Sequence, residues 1–133
     1  MAIRIYIVED HPAMRETLIE YLKLSENFEL CGVAATGAEA LDQLADADPS
    51  LVLLDLSLPD RNGLSLLPAI QAQSQVPCII LSGHHEPSYV ERALAAGARG
   101  YVLKGRPHEI PIAIGAVMDG GTYVSELLRS ALD

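Results

Sequence analysis

Residues Leu51 to Gly63 read LVLLDLSLPDRNG: five apolar side chains and one carboxylate, Asp55, followed at once by a loop with Pro59 and a closing Gly63. A short apolar run bounded by turn residues is the pattern of a strand buried on both faces, as in a parallel sheet. Asp55 then lies where that strand leaves the core. In open parallel sheets ligands bind outside the carboxyl ends of the strands, so the function depends on which other polar groups reach the same edge.

On the N-terminal side, Ile3 to Val8 is a β-branched and aromatic run that ends in Glu9-Asp10-His11-Pro12, a strand running into an acidic corner. Met14, Leu18, Tyr21 and Leu22 then recur at helical spacing, and Pro12 suits a first helical turn. Phe28 to Ala35 predicts a second strand, and Thr36-Gly37 opens a helix that Asp48-Pro49 stops. Beyond Gly63 a helix is expected over Leu64 to Gln73, with Pro68 forcing an irregular first turn or a bend. Val76 to Leu81 predicts a fourth strand closed by Ser82-Gly83-His84-His85. Helical spacing follows from Val90 to Gly97, then a short strand over Gly100 to Leu103 closed by Lys104-Gly105. A last helix is expected from Pro107 to Met118, broken by Gly120-Gly121. This alternation predicts an α/β fold: (βα)5, a doubly wound parallel five-stranded sheet of order 2-1-3-4-5. Residues 1–121 form the expected domain, and 122–133 a tail or the start of a linker to an absent output domain.

Composition narrows the function. A chain of 133 residues suffices for one domain that buries roughly two-thirds of its unfolded surface. Eighteen acidic residues against nine basic ones, a net charge of -9, argue against direct nucleic-acid binding and favour cationic partners or metal. Cys31 and Cys78 lie in separate strands without CxxC spacing and read as small buried hydrophobes rather than a disulfide. Met1-Ala-Ile-Arg leads straight into a strand and no apolar run approaches the length of a membrane span, so a cytoplasmic protein with no membrane partner is expected.

Four of the five strand ends carry reactive groups: Glu9 and Asp10, Asp55, Ser82, and Lys104. In strand order 2-1-3-4-5 these ends are contiguous and converge at the switch point, while strand two, which ends without such a group, lies outside. Singly, each has a bland reading as a turn residue, a cap or an exposed lysine. Their coincidence does not. Three clustered carboxylates repel one another unless a cation sits among them, and an all-oxygen site of this kind suits Mg²⁺. With charge neutralised, Asp55 could attack phosphorus and form an aspartyl phosphate, with Ser82 bonding the phosphoryl oxygen. His84 and His85 lack a third ligand and make a poor metal site.

With these residues in view, residues 3–121 resemble the receiver domain of two-component response regulators. The matching motifs are Val8-Glu9-Asp10-His11-Pro12, Asp55-Leu56-Ser57-Leu58-Pro59 with Gly63-Leu64, Leu81-Ser82, and Ala96-Gly97-Ala98-Arg99-Gly100-Tyr101 with Leu103-Lys104. The EDHP opening, ARGYVLK and GGTYVS are most similar to the NarL/FixJ (LuxR-type) subfamily. The resemblance implies that Asp55 is the phosphoacceptor, served by a histidine kinase or phosphotransfer protein. It implies Mg²⁺ held by Glu9, Asp10, Asp55 and the Ser57 backbone carbonyl, with Lys104 on the phosphoryl group. Ser82 and Tyr101 become the switch pair, acting on the face of helix four, strand five and helix five. Ser57 and His84 become residues that tune dephosphorylation. Such a protein is a switch controlling, in the full-length regulator, transcription. It is not an enzyme, catalysing only its own phosphorylation and slow autodephosphorylation.

Leu58, Gly83, Gly105 and Pro111 depart from the usual pattern without removing a reactive group. The apolar helix-five segment Ile110 to Met118 is an expected surface for a homodimer or an output domain. Three other functions compete: a phosphorylation-independent adaptor or dimerisation module, an aspartyl-phosphate hydrolase, and a flavin carrier. Against the second stands Ser57, where dehalogenase-like phosphatases have another Asp. Against the third stands the missing phosphate-cradling loop after strand one.

Overall fold

A computed structural model describes residues 2–130. The last three residues of the expected tail lie outside the described part. Strands β1 (Ile3–Val8), β2 (Phe28–Ala34), β3 (Leu51–Asp55), β4 (Cys78–Ser82) and β5 (Gly100–Leu103) alternate with helices α1 (Pro12–Lys23), α2 (Gly37–Ala47), α3 (Gly63–Gln73), α4 (Pro87–Ala95) and α5 (Ile110–Met118). A 3-10 turn, Pro107–Glu109, leads into α5, and β6 (Tyr123–Val124) and α6 (Glu126–Arg129) follow it. All strands pair in parallel, in the order β2-β1-β3-β4-β5-β6.

Alternate strand residues feed two cores, as the period of two requires. Tyr6, Val8, Val52, Leu54, Ile80 and Tyr101 pack with α2, α3 and α4 through Leu44, Leu66 and Val90. Ile5, Ile7, Leu53, Leu81 and Val102 pack on the other face against Leu18 and Leu22 of α1 and Ile110, Ile114 and Val117 of α5. β3 and β4 are buried along their whole length, which is why their sequences are apolar without alternation. β4 starts at Cys78, two residues later than expected, because Pro77 has no N–H to give the ladder. Pro68 sits inside α3 on its exposed side, and the first turn is tightened by a bond from Ser65 N–H to the Asn62 carbonyl (3.1 Å). Both cysteines are free, Cys78 buried and Cys31 partly so.

The expected five strands are six. Gly120-Gly121, which reads as a break, is instead a helix stop followed by a return. Gly120 has φ of 94° and its N–H bonds Val117 O, while Gly121 N–H bonds Ala116 O. This Schellman arrangement closes α5 and aims the chain back along β5. The resulting strand, Tyr123-Val124, is too short to show a period of two, so nothing in its residues announces it. β5 consequently has neighbours on both sides and is no edge strand.

One side chain fastens this return. Glu109, 2% exposed, accepts from Tyr123 OH (2.7 Å), Ser125 Oγ (2.9 Å), Glu126 N–H (3.0 Å) and Arg106 Nε (2.9 Å). Burial raises its pKa, but the four donors outweigh burial and hold the carboxyl below the usual glutamate value. A carboxyl depressed in the folded state stabilises the fold above its unfolded pKa of about 4.3 and loses that contribution as pH falls through the lower folded value. We expect Glu109→Gln to cost about 1.5 to 3 kcal/mol at neutral pH, the range for bonds to a charged acceptor. The gap between wild type and variant in denaturant melts should close as pH drops below about 4; a gap independent of pH between 7 and 3 would contradict an ionised clamp.

Candidate functional site

Each reactive group stands where a strand stops. Glu9 follows β1 and is fixed by its N–H to Ala34 O at 2.9 Å. Asp10 comes next, and His11 and Pro12 open α1. Asp55 is the last residue of β3, opposite Leu81 of β4. The chain then folds sharply: Ser57 bridges to Asn62, and Gly63 N–H bonds Leu56 O at 2.7 Å. A Cβ on Gly63 would collide with the Asp55 carbonyl oxygen and stand 2.9 Å from Leu56 Cα, so the closing residue of the opening stretch has to be glycine. Ser82 ends β4, and Lys104 follows β5, its N–H on Ser82 O at 2.9 Å. The expected residues Glu9, Asp10, Asp55, Ser57, Ser82 and Lys104 thus meet at one end of the sheet.

Lys104 Nζ lies 3.0 Å from both Glu9 Oε1 and Asp55 Oδ1. Ser57 N–H donates to Asp55 Oδ1 (3.1 Å), and His11 N–H to Glu9 Oε2 (3.1 Å). Burial is the largest influence on Asp55, 1% exposed, and with Glu9 alongside it prevails over Ser57 and Lys104, pushing the carboxyl up to about 7. Glu9 is as buried but moves the other way: the bonds from His11 and Lys104 overcome desolvation and hold it low. Two neighbouring carboxyls with opposite shifts mark a site built around charge.

Glu9 Oε1, Asp10 Oδ1 and Asp55 Oδ2 are buried and lack any hydrogen bond, the Glu9 oxygen having only its ionic contact with Lys104. Carboxylate oxygens of Glu9, Asp10 and Asp55 and a nitrogen of His11 fall within 4.8 Å of one another. With all three carboxyls ionised, one ammonium leaves two negative charges uncompensated, which a divalent, oxygen-seeking cation balances. The donor set therefore fits Mg²⁺.

Sequence reading overlooked two contributors. His11 Nδ1 lies 3.1 Å from Glu9 Oε2 and 3.3 Å from Asp10 Oδ1. Arg15, one turn into α1, donates to the carbonyls of Glu9 (2.9 Å) and Asp10 (3.1 Å) and so fixes the acidic corner. The motif EDHPAMR contains both, but a backbone-directed arginine cannot be told from a solvated one by spacing.

The expected switch residues also sit together. Ser82 Oγ accepts the His84 N–H (3.0 Å), and Tyr101 OH donates to His84 O (3.0 Å). Tyr101 is fully buried. Val124 and Leu128 pack in the same core as Tyr101, so β6 and α6 cover what would have been the free edge of β5. The His84 ring stacks on Tyr89, centroids 4.0 Å apart. A groove of about 520 Å³ at the opposite end of the sheet, lined by Gln71, Pro77, Gly97 and Arg99 among others, holds neither carboxylate nor nucleophile.

On α5, Ile112 and Met118 are exposed at 59% and 38%, while Ile110, Ala113, Ile114 and Val117 are buried. Among the described residues no helix is long and apolar enough to cross a membrane.

Comparison with known proteins agrees with this arrangement. The response regulator receiver domain family matches residues 5–114. The transcriptional regulatory protein DesR of Bacillus subtilis is 34% identical over 131 residues, covering 96% of this chain and 64% of its own length. UhpA of Salmonella typhimurium is 34% identical, covering 92% and 62%. A LuxR-family two-component response regulator from Aurantimonas superposes with a TM-score of 0.88 at 29% identity, covering 99% of this chain and 96% of that one. The isolated receiver domain of RcsB from Salmonella enterica, solved with a phosphomimetic, has the same fold, with a TM-score of 0.92 at 22% identity. The chain spans less than two-thirds of the length of DesR and UhpA. With acids, lysine and hydroxyl in place at the strand ends, the chain belongs to the response regulator receiver domain family, among relatives of the NarL/LuxR type.

Proposed function

We propose that this domain is a phosphorylation switch in which Asp55 accepts a phosphoryl group from a histidine kinase or phosphotransfer protein. The observation that carries the reading is the division of labour between the two oxygens of Asp55. Oδ1 is held by Ser57 N–H and Lys104, whereas buried Oδ2 has no partner. A carboxylate oriented through one oxygen presents the other as nucleophile. An O–P bond forms at Asp55 as the bond from phosphorus to the donor breaks, leaving its electron pair on the donor.

Lys104, already 3.0 Å from Asp55, meets the charge gathering on the phosphoryl oxygens. Glu9, Asp10, Asp55 and the Ser57 carbonyl would hold Mg²⁺, which supplies charge neutralisation for the transferring group. Ser82 is the hydroxyl that answers the phosphoryl group. Since its Oγ is tied to His84 N–H and Tyr101 to His84 O, a move of Ser82 pulls on the loop that also anchors Tyr101. Ser57 and His84 set how slowly the phosphoryl group is lost. The domain is a regulator rather than an enzyme acting on an external substrate, and in a longer protein it controls transcription. Exposed Ile112 and Met118 of α5 supply a contact for a second copy or an output domain.

Incubation with acetyl phosphate and Mg²⁺, followed by intact mass, should give one phosphoryl adduct on wild type and none on Asp55→Asn; an unmodified wild type would favour a phosphorylation-independent adaptor, and sustained phosphate release a hydrolase. Calorimetric titration should show Asp10→Asn weakening Mg²⁺ binding by on the order of tenfold or more, since affinity for a hard cation follows the carboxylates that hold it; unchanged affinity would place the ion elsewhere. Sedimentation of Ile112→Asp tests the α5 contact, with any wild-type self-association lost in the variant.

A further inference from the structure

We propose that Ser125, aimed by Glu109, is a positioning residue for Lys104, so that the segment from Tyr123 to Arg129 completes the phosphoryl site through the far side of β5. The inference rests on the phosphoacceptor reading above. β5 has four residues, and the reactive lysine comes immediately after the last of them. On the β4 side that end is held by Lys104 N–H on Ser82 O. On the other side, beyond the short β6 ladder, the described residue that holds it is Ser125, which reaches β5 twice: its N–H bonds Tyr101 O (2.9 Å), and its Oγ accepts the Leu103 N–H (2.9 Å). The side-chain oxygen does what the next carbonyl of a parallel neighbour would do, because the backbone has turned away into α6.

The hydroxyl is committed to this task. Ser125 precedes α6, where a serine ordinarily accepts from the helix amides, yet it makes no such bond. Glu109 takes the Glu126 N–H instead, at 3.0 Å. Ser125 Oγ gives its proton to Glu109 Oε1 (2.9 Å), and that fixes a lone pair on the Leu103 N–H. Both residues are buried, Ser125 at 0% and Glu109 at 2% exposure, so without Oγ the Leu103 amide has no water to turn to. Leu103 N–H lies one residue before Lys104, whose ammonium bridges two carboxylates at 3.0 Å each. A geometry shared between two acceptors tolerates little drift at the strand end. The metal ligands, by contrast, stand at the ends of β1 and β3 and, among the described residues, share no hydrogen bond or ion pair with this segment.

This placement predicts a split. Ser125→Ala should slow phosphoryl transfer from acetyl phosphate at saturating Mg²⁺ roughly three- to tenfold, the rate equivalent of one net hydrogen bond. Its Mg²⁺ affinity, read by calorimetry, should stay within about twofold of wild type, and Ser125→Thr should restore the rate. By linkage, a group that positions Lys104 for the phosphoryl must itself be tightened by it, so amide exchange at Leu103 should slow on phosphorylation of the wild-type chain. A Ser125→Ala protein that is less stable but phosphorylates at the wild-type rate would reduce the residue to a structural role and overturn the proposal, as would Leu103 exchange indifferent to phosphorylation, a measurement that stands even if the alanine variant fails to fold. A wild-type chain that forms no adduct overturns the phosphoacceptor reading and this proposal with it; normal wild-type phosphorylation with an unaffected alanine variant overturns the proposal alone.

Discussion

Two almost fully buried carboxylates, Glu9 and Asp55, share one ammonium, Lys104, and the architecture of the carboxyl edge follows from keeping that trio together. Charges in such a place are tolerated only when paired and hydrogen-bonded. β1 must lie between β2 and β3, and β5 must bring its end round past β4, for groups nearly a hundred residues apart to meet. With Asp10 alongside, the trio is also incomplete, since one lysine cannot neutralise three acids. The remaining negative charge suits a divalent cation, and one oxygen of Asp55 is left without a hydrogen-bond partner.

Glu109 shows what the same residue type does when its bonds are complete. Both Asp55 and Glu109 are about as buried as a carboxylate can be, at 1% and 2% exposure, yet burial wins at one and the donors win at the other. Glu109 has four donors spread over both oxygens and stands low in pKa, whereas Asp55 has its donors on a single oxygen and stands high. At Glu109 the four donors outweigh burial, whereas at Asp55 burial and the neighbouring Glu9 outweigh the two donors.

Much of this was legible in the sequence because the sheet puts its chemistry where apolar runs end. Asp55, Ser82 and Lys104 each follow a run of apolar residues, and Glu9 and Asp10 end another, so pattern and chemistry coincide. The sixth strand was not legible. Tyr123-Val124 has no periodicity, and its pairing comes from the turn at Gly120 and from Glu109, whose partners are 14 to 17 residues away. Arg15 and Ser125 escaped for a related reason: each acts on backbone atoms, and backbone bonding leaves no mark on residue spacing.

The inward position of Tyr101 bears on how the proposed switch would work. The ring is buried and bonded to His84 O, and β6 with α6 covers the strand beside it. Under the proposed switch, motion at Ser82 would be passed on through bonds that exist beforehand: to the His84 loop and α4 on one side, and through Lys104 and Leu103 to Ser125 on the other. Coupling through a pre-formed network favours a change in the relative stability of two packed arrangements over the opening of a new surface. The segment best placed to report that change is the one Glu109 holds, because it is bonded to β5 on either side of Val102, between the tyrosine and the lysine.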